Sequence, residues 1–228
     1  MECGWGGGDE RSKIDLKLTS QGSSNLTKQF MVIHLNFWPT LAFAVVLLSW
    51  FAFVILFLAR QKPPTAPESK RDRASIAGIV LQGFSFGIVW SVRRQWFTPI
   101  FSVRRSVEIL LAILTMVLAI TTVWFCSTAI RALGKQWSLA ARLVEGHKLV
   151  KEGPYSVVRN PIYTGMFGML LATGLAVSHW IGLLVAVVVF AIGTAIRVRS
   201  EETLLREAFG REFEDYARAV PAVIPFLI

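Results

Sequence analysis

At 228 residues the chain has room for one or two compact units, yet 54% of it is hydrophobic and only 17% charged, a membrane composition rather than that of an ordinary soluble domain. The formal charge of +9 does not point to nucleic acid, because the Lys and Arg residues flank apolar blocks and build no single basic face. Cys3 and Cys126 give neither a disulfide framework nor a metal motif, and His34, His147 and His179 are too scattered to suggest a metal site.

In chain order, residues 1–29 are rich in Gly, Ser and charge, and read as a flexible tail without a fold. The apolar sequence that follows begins too far in, and runs too long, for a cleaved signal peptide, so the first helix is expected to stay as an anchor. Five apolar segments then occupy 37–59, 74–92, 107–130, 162–177 and 180–196, each near the ~20 residues that crossing a bilayer takes. The first and third are long and free of internal charge. The second carries Gln82, Gly78, Gly83 and Gly87, and reads as either re-entrant or buried against its neighbours. Residues 61–73, polar and rich in proline, are expected to be a loop and nothing more. The fourth and fifth segments are separated only by Ser178 and His179 and read as a tight helical hairpin.

If all five cross, three stretches on one side (60–73, 131–159 and 197–218) hold 16 of the 24 Lys and Arg residues. That asymmetry places the C-terminus in the cytoplasm; Arg93, Arg94, Arg104 and Arg105 count the other way. Past the hairpin, residues 197–219 are highly charged but keep Leu205, Phe209, Phe213 and Tyr216 at helical spacing, the stripe of a cytosolic amphipathic helix. Gly210 within it marks a bend or a boundary between two helices. The expected fold is an all-α polytopic membrane protein of about five transmembrane helices, with a C-terminal hairpin and a cytosolic amphipathic helix.

Between the third segment and the hairpin lie Gly146-His-Lys-Leu-Val150, Gly153-Pro-Tyr155 and Arg159-Asn-Pro-Ile-Tyr-Thr-Gly165. Asn160 followed by Pro161 reads as an N-cap and first helical residue. Taken singly, each motif has a bland reading: a helix start, a turn, interfacial tyrosines acting as anchors. Glu201 and Glu202 after the last apolar segment likewise read singly as a solvated helix start.

As a set, with Leu133-Gly-Lys-Gln-Trp-Ser138 before them and Glu201-Glu-Thr-Leu-Leu205, Phe209-Gly-Arg-Glu-Phe213 and Val220-Pro-Ala-Val-Ile-Pro225 after, they resemble the isoprenylcysteine carboxyl methyltransferase family in order and spacing. The resemblance covers roughly Arg131 to the C-terminus. It implies a membrane methyltransferase using S-adenosylmethionine, with 30–130 as transmembrane anchoring helices and 131–228 as the catalytic half. It further implies that His147, Lys148, Leu149 and Val150 line the cofactor, that Tyr155, Asn160, Pro161, Ile162 and Tyr163 contact it, and that Glu201 binds one of its polar groups. Arg197 would hold the carboxylate of the methyl acceptor, a prenylated cysteine or similar lipid-like molecule. The family usually has histidine where this chain has Asn160, which hydrogen-bonds but cannot be cationic.

The chemistry asks for no general base, since a carboxylate with a pKa near ~4 is already ionised at neutral pH. Alignment, exclusion of water and a clamp for the carboxylate are what it needs. Arg197, four residues before Glu201 and on the same helical face, suits the clamp; the bland reading of Arg197 is a cation snorkelling at a helix end. Three rivals stand beside this reading: a phospholipid N-methyltransferase, a non-catalytic membrane protein keeping the fold, and a sterol reductase-like domain, for which the chain is short. An amine acceptor would need a proton acceptor and would be repelled by Arg197 in its cationic form. The partners expected are the lipid bilayer and the acceptor; the membrane is a bacterial inner membrane or an endoplasmic reticulum, and the sequence carries no signal for oligomeric state.

Overall fold

A computed structural model describes residues 36–60, 68–71, 74–101, 104–134, 142–144 and 148–223. The tail expected over 1–29 and the candidate His147 lie outside the described residues.

Each apolar segment forms a continuous helix: α1 (Phe37–Arg60), α2 (Ala74–Ser91), α3 (Arg105–Leu133), α4 (Pro161–Val177) and α5 (Trp180–Phe209), followed by α6 (Arg211–Ala219). In hydrocarbon every backbone N–H and C=O must be satisfied within its own segment, and a helix does this for an apolar run of such length. By length and composition α1, α3 and α5 are sufficient to cross a membrane, and α2 and α4 are shorter apolar helices. The protein is an all-α polytopic membrane protein, as its sequence predicts.

Three expectations are corrected. The last apolar helix does not stop at residue 196 but continues to Phe209, because Arg, Glu and Leu propagate a helix as readily as the valines before them. It ends at Gly210, whose φ of +51° is the left-handed conformation glycine takes without steric penalty at helix ends; Gly210 is a boundary and α6 a separate helix. Residues 61–73 are more than loop: β1 (Glu68–Arg71) pairs antiparallel with β2 (Arg142–Val144), tying the α1–α2 connection to the segment after α3. Of the charged region's apolar stripe, Phe213 and Tyr216 are buried, but on α5 it is Leu204 rather than Leu205 that is fully covered.

The hairpin forms with Ser178 and His179 as its link, and the His179 ring accepts from the Ile181 N–H at 3.4 Å to cap α5. Its arms pack more extensively on other helices than on each other: α5 on α2, and α4 on α3. Two glycines explain the α2–α5 contact. A Cβ on Gly78 would lie 2.7 Å from the Gly193 carbonyl oxygen, and one on Gly193 would lie 2.9 Å from the Gly78 carbonyl oxygen, so the backbones touch where neither residue has a side chain. The second segment is therefore a helix with one face buried against α5, while Ile76, Val80 and Phe84 on its other face are exposed. The core draws on all five helices, with Val46, Val89, Ala119, Leu170 and Phe190 in one cluster, while Leu48, Phe51, Leu58, Leu110 and Ile120 face outward as a lipid-facing surface requires.

The C-terminal end of α4 is stitched to the exit of α2. Arg94 donates to the carbonyls of Leu175, Ala176 and Ser178 at 2.6–2.8 Å, occupying acceptors that a helix end leaves open and placing a cation at its negative pole. Burial lowers the Arg94 pKa to about 10. One of the four arginines that weigh against the charge asymmetry thus has a structural assignment of its own.

Candidate functional site

The opposite end of α4, about 25 Å away along a helix of this length, gathers the polar side chains. Pro161 opens α4, and its fixed φ suits a first helical position. Asn160 precedes it but does not cap it with its side chain. Its amide nitrogen instead donates to the Ala222 carbonyl at 3.0 Å, and its backbone N–H donates to the same oxygen at 2.9 Å. Asn160 does take the N-cap position, its carbonyl accepting from the Tyr163 N–H at 3.0 Å, but the side-chain bond expected there is absent, the amide being held by the C-terminal segment.

Tyr163, on the first turn of α4, is buried and its hydroxyl donates to the Glu201 carboxylate. Arg197 and Glu201, one turn apart on α5, form an ion pair at 3.7 Å. The guanidinium lies 4.7 Å from the centre of the Tyr163 ring, within cation–π range. Only 4% of Arg197 is exposed, whereas Glu201 keeps 27% of its side chain accessible. Arg197 is thus no snorkelling cation, and Glu201 no freely solvated one. Glu202 is engaged as well: Arg159 donates to it from Nε and Nη2, both at 2.9 Å.

Tyr155 sits in a single 3₁₀ turn, Gly153–Ser156, and is buried. The turn packs on α3 and is held from the other side by Tyr216 of α6, whose hydroxyl donates to the Tyr155 carbonyl at 2.6 Å. The preceding segment carries Lys148, exposed, and Leu149 and Val150, half-buried; Lys151 ties it to α6 through an ion pair with Glu212 at 2.7 Å. Ile162 is half-buried, its carbonyl facing the Cys126 thiol at 3.7 Å.

Among the candidates, then, the structure brings Tyr163, Arg197 and Glu201 into contact, with Tyr155 within electrostatic reach of Glu201. Asn160 and Pro161 shape the start of α4, and Lys148–Val150 lead into the turn bearing Tyr155. Sequence reasoning missed Gln82, Thr194, Arg159, Glu202 and Tyr216. For Gln82 a signal was present: an amide inside an apolar helix is costly unless it has a task.

Burial, opposed by Arg159 and reinforced by Glu202, pushes the Tyr216 phenol up from its ordinary value of 10 to about 12, and burial with the negative charge of Glu201 pushes Tyr155 up well above it. Folding therefore favours the neutral phenols, so the docking of α6 is at full strength below pH ~10 and is lost as pH rises through the folded values. In a Tyr163→Phe background, absorbance at 295 nm should show no phenolate step near pH ~10 in the folded protein and a full one after denaturation. A step near pH 10 in the folded protein would contradict the burial of both groups.

The family profile described as phospholipid methyltransferase matches residues 110–212, from α3 to the start of α6. "Protein-S-isoprenylcysteine O-methyltransferase B" of Arabidopsis thaliana is 34% identical over 102 residues, 44% of this chain and 52% of that protein. "Protein-S-isoprenylcysteine O-methyltransferase" of Saccharomyces cerevisiae is 26% identical over 188 residues, 80% of this chain and 78% of that one. Over α3 to the start of α6 the chain is similar to isoprenylcysteine carboxyl methyltransferases. Another relative carries a different name, "Nickel-cobalt-cadmium resistance protein NccN" of Alcaligenes xylosoxydans xylosoxydans, 33% identical over 112 residues, 48% of this chain and 51% of that protein. The chain spans about half the length of the first relatives it matches. The matched residues include both arms of the hairpin, and so the contact between Tyr163, Arg197 and Glu201.

Proposed function

We propose that the protein is an S-adenosylmethionine-dependent methyltransferase that esterifies the carboxylate of a prenylated cysteine or similar lipid-like acceptor at the membrane surface. The observation that carries this reading is Arg197: a cation 4% exposed, where the apolar part of α5 gives way to its charged part, in cation–π contact with Tyr163 and braced by Glu201. A buried guanidinium offers a planar fork for a carboxylate and none for an ammonium.

S-adenosylmethionine, when bound, supplies an already activated methyl group. The residues present suit it: Glu201 is a partly accessible carboxylate for a polar group of the cofactor, and Lys148–Val150 offer backbone groups outside any helix or strand just before the Tyr155 turn. Arg197 binds the acceptor carboxylate and orients one oxygen for in-line attack, and the face of Tyr163 restricts the guanidinium to one plane. Asn160, Pro161 and Ile162 fix the start of α4 from which Tyr163 projects. The acceptor oxygen is already ionised, so no residue has to move a proton. Two-thirds of the basic residues flank the helices on the side of this site, and Arg94 on the other side is committed to α4; this supports a cytoplasmic C-terminus.

The family profile's description favours a second reading, transfer to a phospholipid amine. One assay separates them: detergent-purified protein is given S-adenosylmethionine labelled in its methyl group with a prenylcysteine or with a phosphatidylethanolamine, and the products are treated with base. A methyl ester releases labelled methanol and a methylated amine does not. Base-labile label on the prenylcysteine is the expected result; base-stable label on the phospholipid, or transfer to neither, overturns the carboxylate reading.

A further inference from the structure

Gln82 stands midway along α2 and is 1% exposed. Its amide nitrogen donates to Thr194 Oγ1 at 2.8 Å, and its amide oxygen accepts from Arg197 Nη1 at 3.0 Å. Arginine only donates, so a flipped amide would set donor against donor, and the glutamine has one orientation. Four residues earlier on the same face of α2, Gly78 leaves room for the Arg197 stem; a Cβ there would collide with Arg197 Cγ and come within 2.7 Å of the Gly193 carbonyl. Helix packing alone would be served by leucine at position 82. A buried amide in an apolar helix costs free energy unless both its ends are satisfied, and here both partners lie on α5.

We propose that Gln82 is a positioning residue that sets the plane of the Arg197 guanidinium for the acceptor's carboxylate, which makes α2 part of the acceptor site and not only an anchor. This inference rests on the reading of Arg197 given above. The guanidinium is then oriented from three sides: Gln82 on one nitrogen, the Tyr163 ring across its face, and Glu201 at its second nitrogen. Thr194 fixes the far end of the glutamine and so the direction in which its oxygen points. A residue that only glued α2 to α5 would, when lost, weaken every ligand alike. One that orients Arg197 would, when lost, weaken anionic acceptors selectively.

The test compares farnesylcysteine with its carboxamide as ligands of the full-length protein in detergent, in wild type, Gln82→Met and Thr194→Val. The carboxamide keeps the lipid and removes the charge. Methionine should lower the preference for carboxylate over carboxamide by roughly tenfold, as expected for losing a hydrogen bond to a charged group, and Thr194→Val by roughly threefold. Binding of the carboxamide and of S-adenosylmethionine should stay near wild type in both. Equal weakening of the two ligands, or an unchanged preference, makes Gln82 a packing residue and overturns the inference while leaving the reading of Arg197 intact. A wild type with no preference for carboxylate removes that reading, and the inference with it. If Gln82→Met does not fold, Thr194→Val decides, because it keeps the Gln82–Arg197 bond and removes only its support.

Discussion

Replacing Arg197 with lysine should lower kcat/KM for a prenylcysteine carboxylate about a hundredfold, the usual scale for removing one partner of a buried charged hydrogen bond. Lysine is the informative variant because it keeps a cation beside Glu201, so the fold is not asked to hold a carboxylate without its counter-charge. What it removes is the planar fork: an ammonium is a point charge and cannot present two parallel donors to a carboxylate. It also loses the guanidinium contact with the Tyr163 ring, whose centre lies 4.7 Å from the guanidinium carbon in the native protein. Steady-state kinetics should therefore show a raised KM for the acceptor together with a lowered kcat, and a melting temperature close to that of the parent. Wild-type kinetics in Arg197→Lys would remove Arg197 from the acceptor site and leave it as a structural link between α2 and α5.

The helices were legible because length in an apolar run is a direct physical constraint, and α1 to α4 lie within a few residues of the segments read from composition. The end of α5 was not, because the change in polarity at Arg197 marks where the environment changes, and the backbone period continues through it. The pairing of Arg197 with Glu201 was visible from their spacing on one helix. The contact of Tyr163 with Glu201, 38 residues apart in sequence, required the hairpin to close and could only be inferred from resemblance. Gln82 was noted as an interruption of the second apolar segment, yet its partners Thr194 and Arg197 lie 112 and 115 residues away, a separation that no local pattern reports. Asn160 takes the N-cap position that its sequence predicts, but its side chain makes no capping bond, because the amide donates to the Ala222 carbonyl, brought in by the fold.

That C-terminal arrival supplies the other large effect. Arg159 holds the end of α6 and Val220 against the start of α4: Nη1 donates to the Ala217 carbonyl at 2.6 Å and to the Val220 carbonyl, while Nε and Nη2 bond Glu202. Side-chain exposures of 14% and 16% make this a mostly buried pair, for which removing one partner costs about 3 kcal/mol at the low end of the usual range. Arg159→Met should thus release α6 and residues 220–223, seen as lost hydrogen-exchange protection over 211–223 with α1 to α4 unchanged. Asn160→Ala, which removes one amide bond to Ala222 and leaves the backbone bond in place, should cost about 1 kcal/mol or less. The double variant Arg159→Met with Glu202→Met separates the causes. It should recover part of the lost protection, because much of the single variant's cost is the carboxylate left buried without a counter-charge; the carbonyls of Ala217 and Val220 stay unserved in both. A double variant no better protected than Arg159→Met alone would mean that the backbone carbonyls, and not Glu202, make Arg159 necessary.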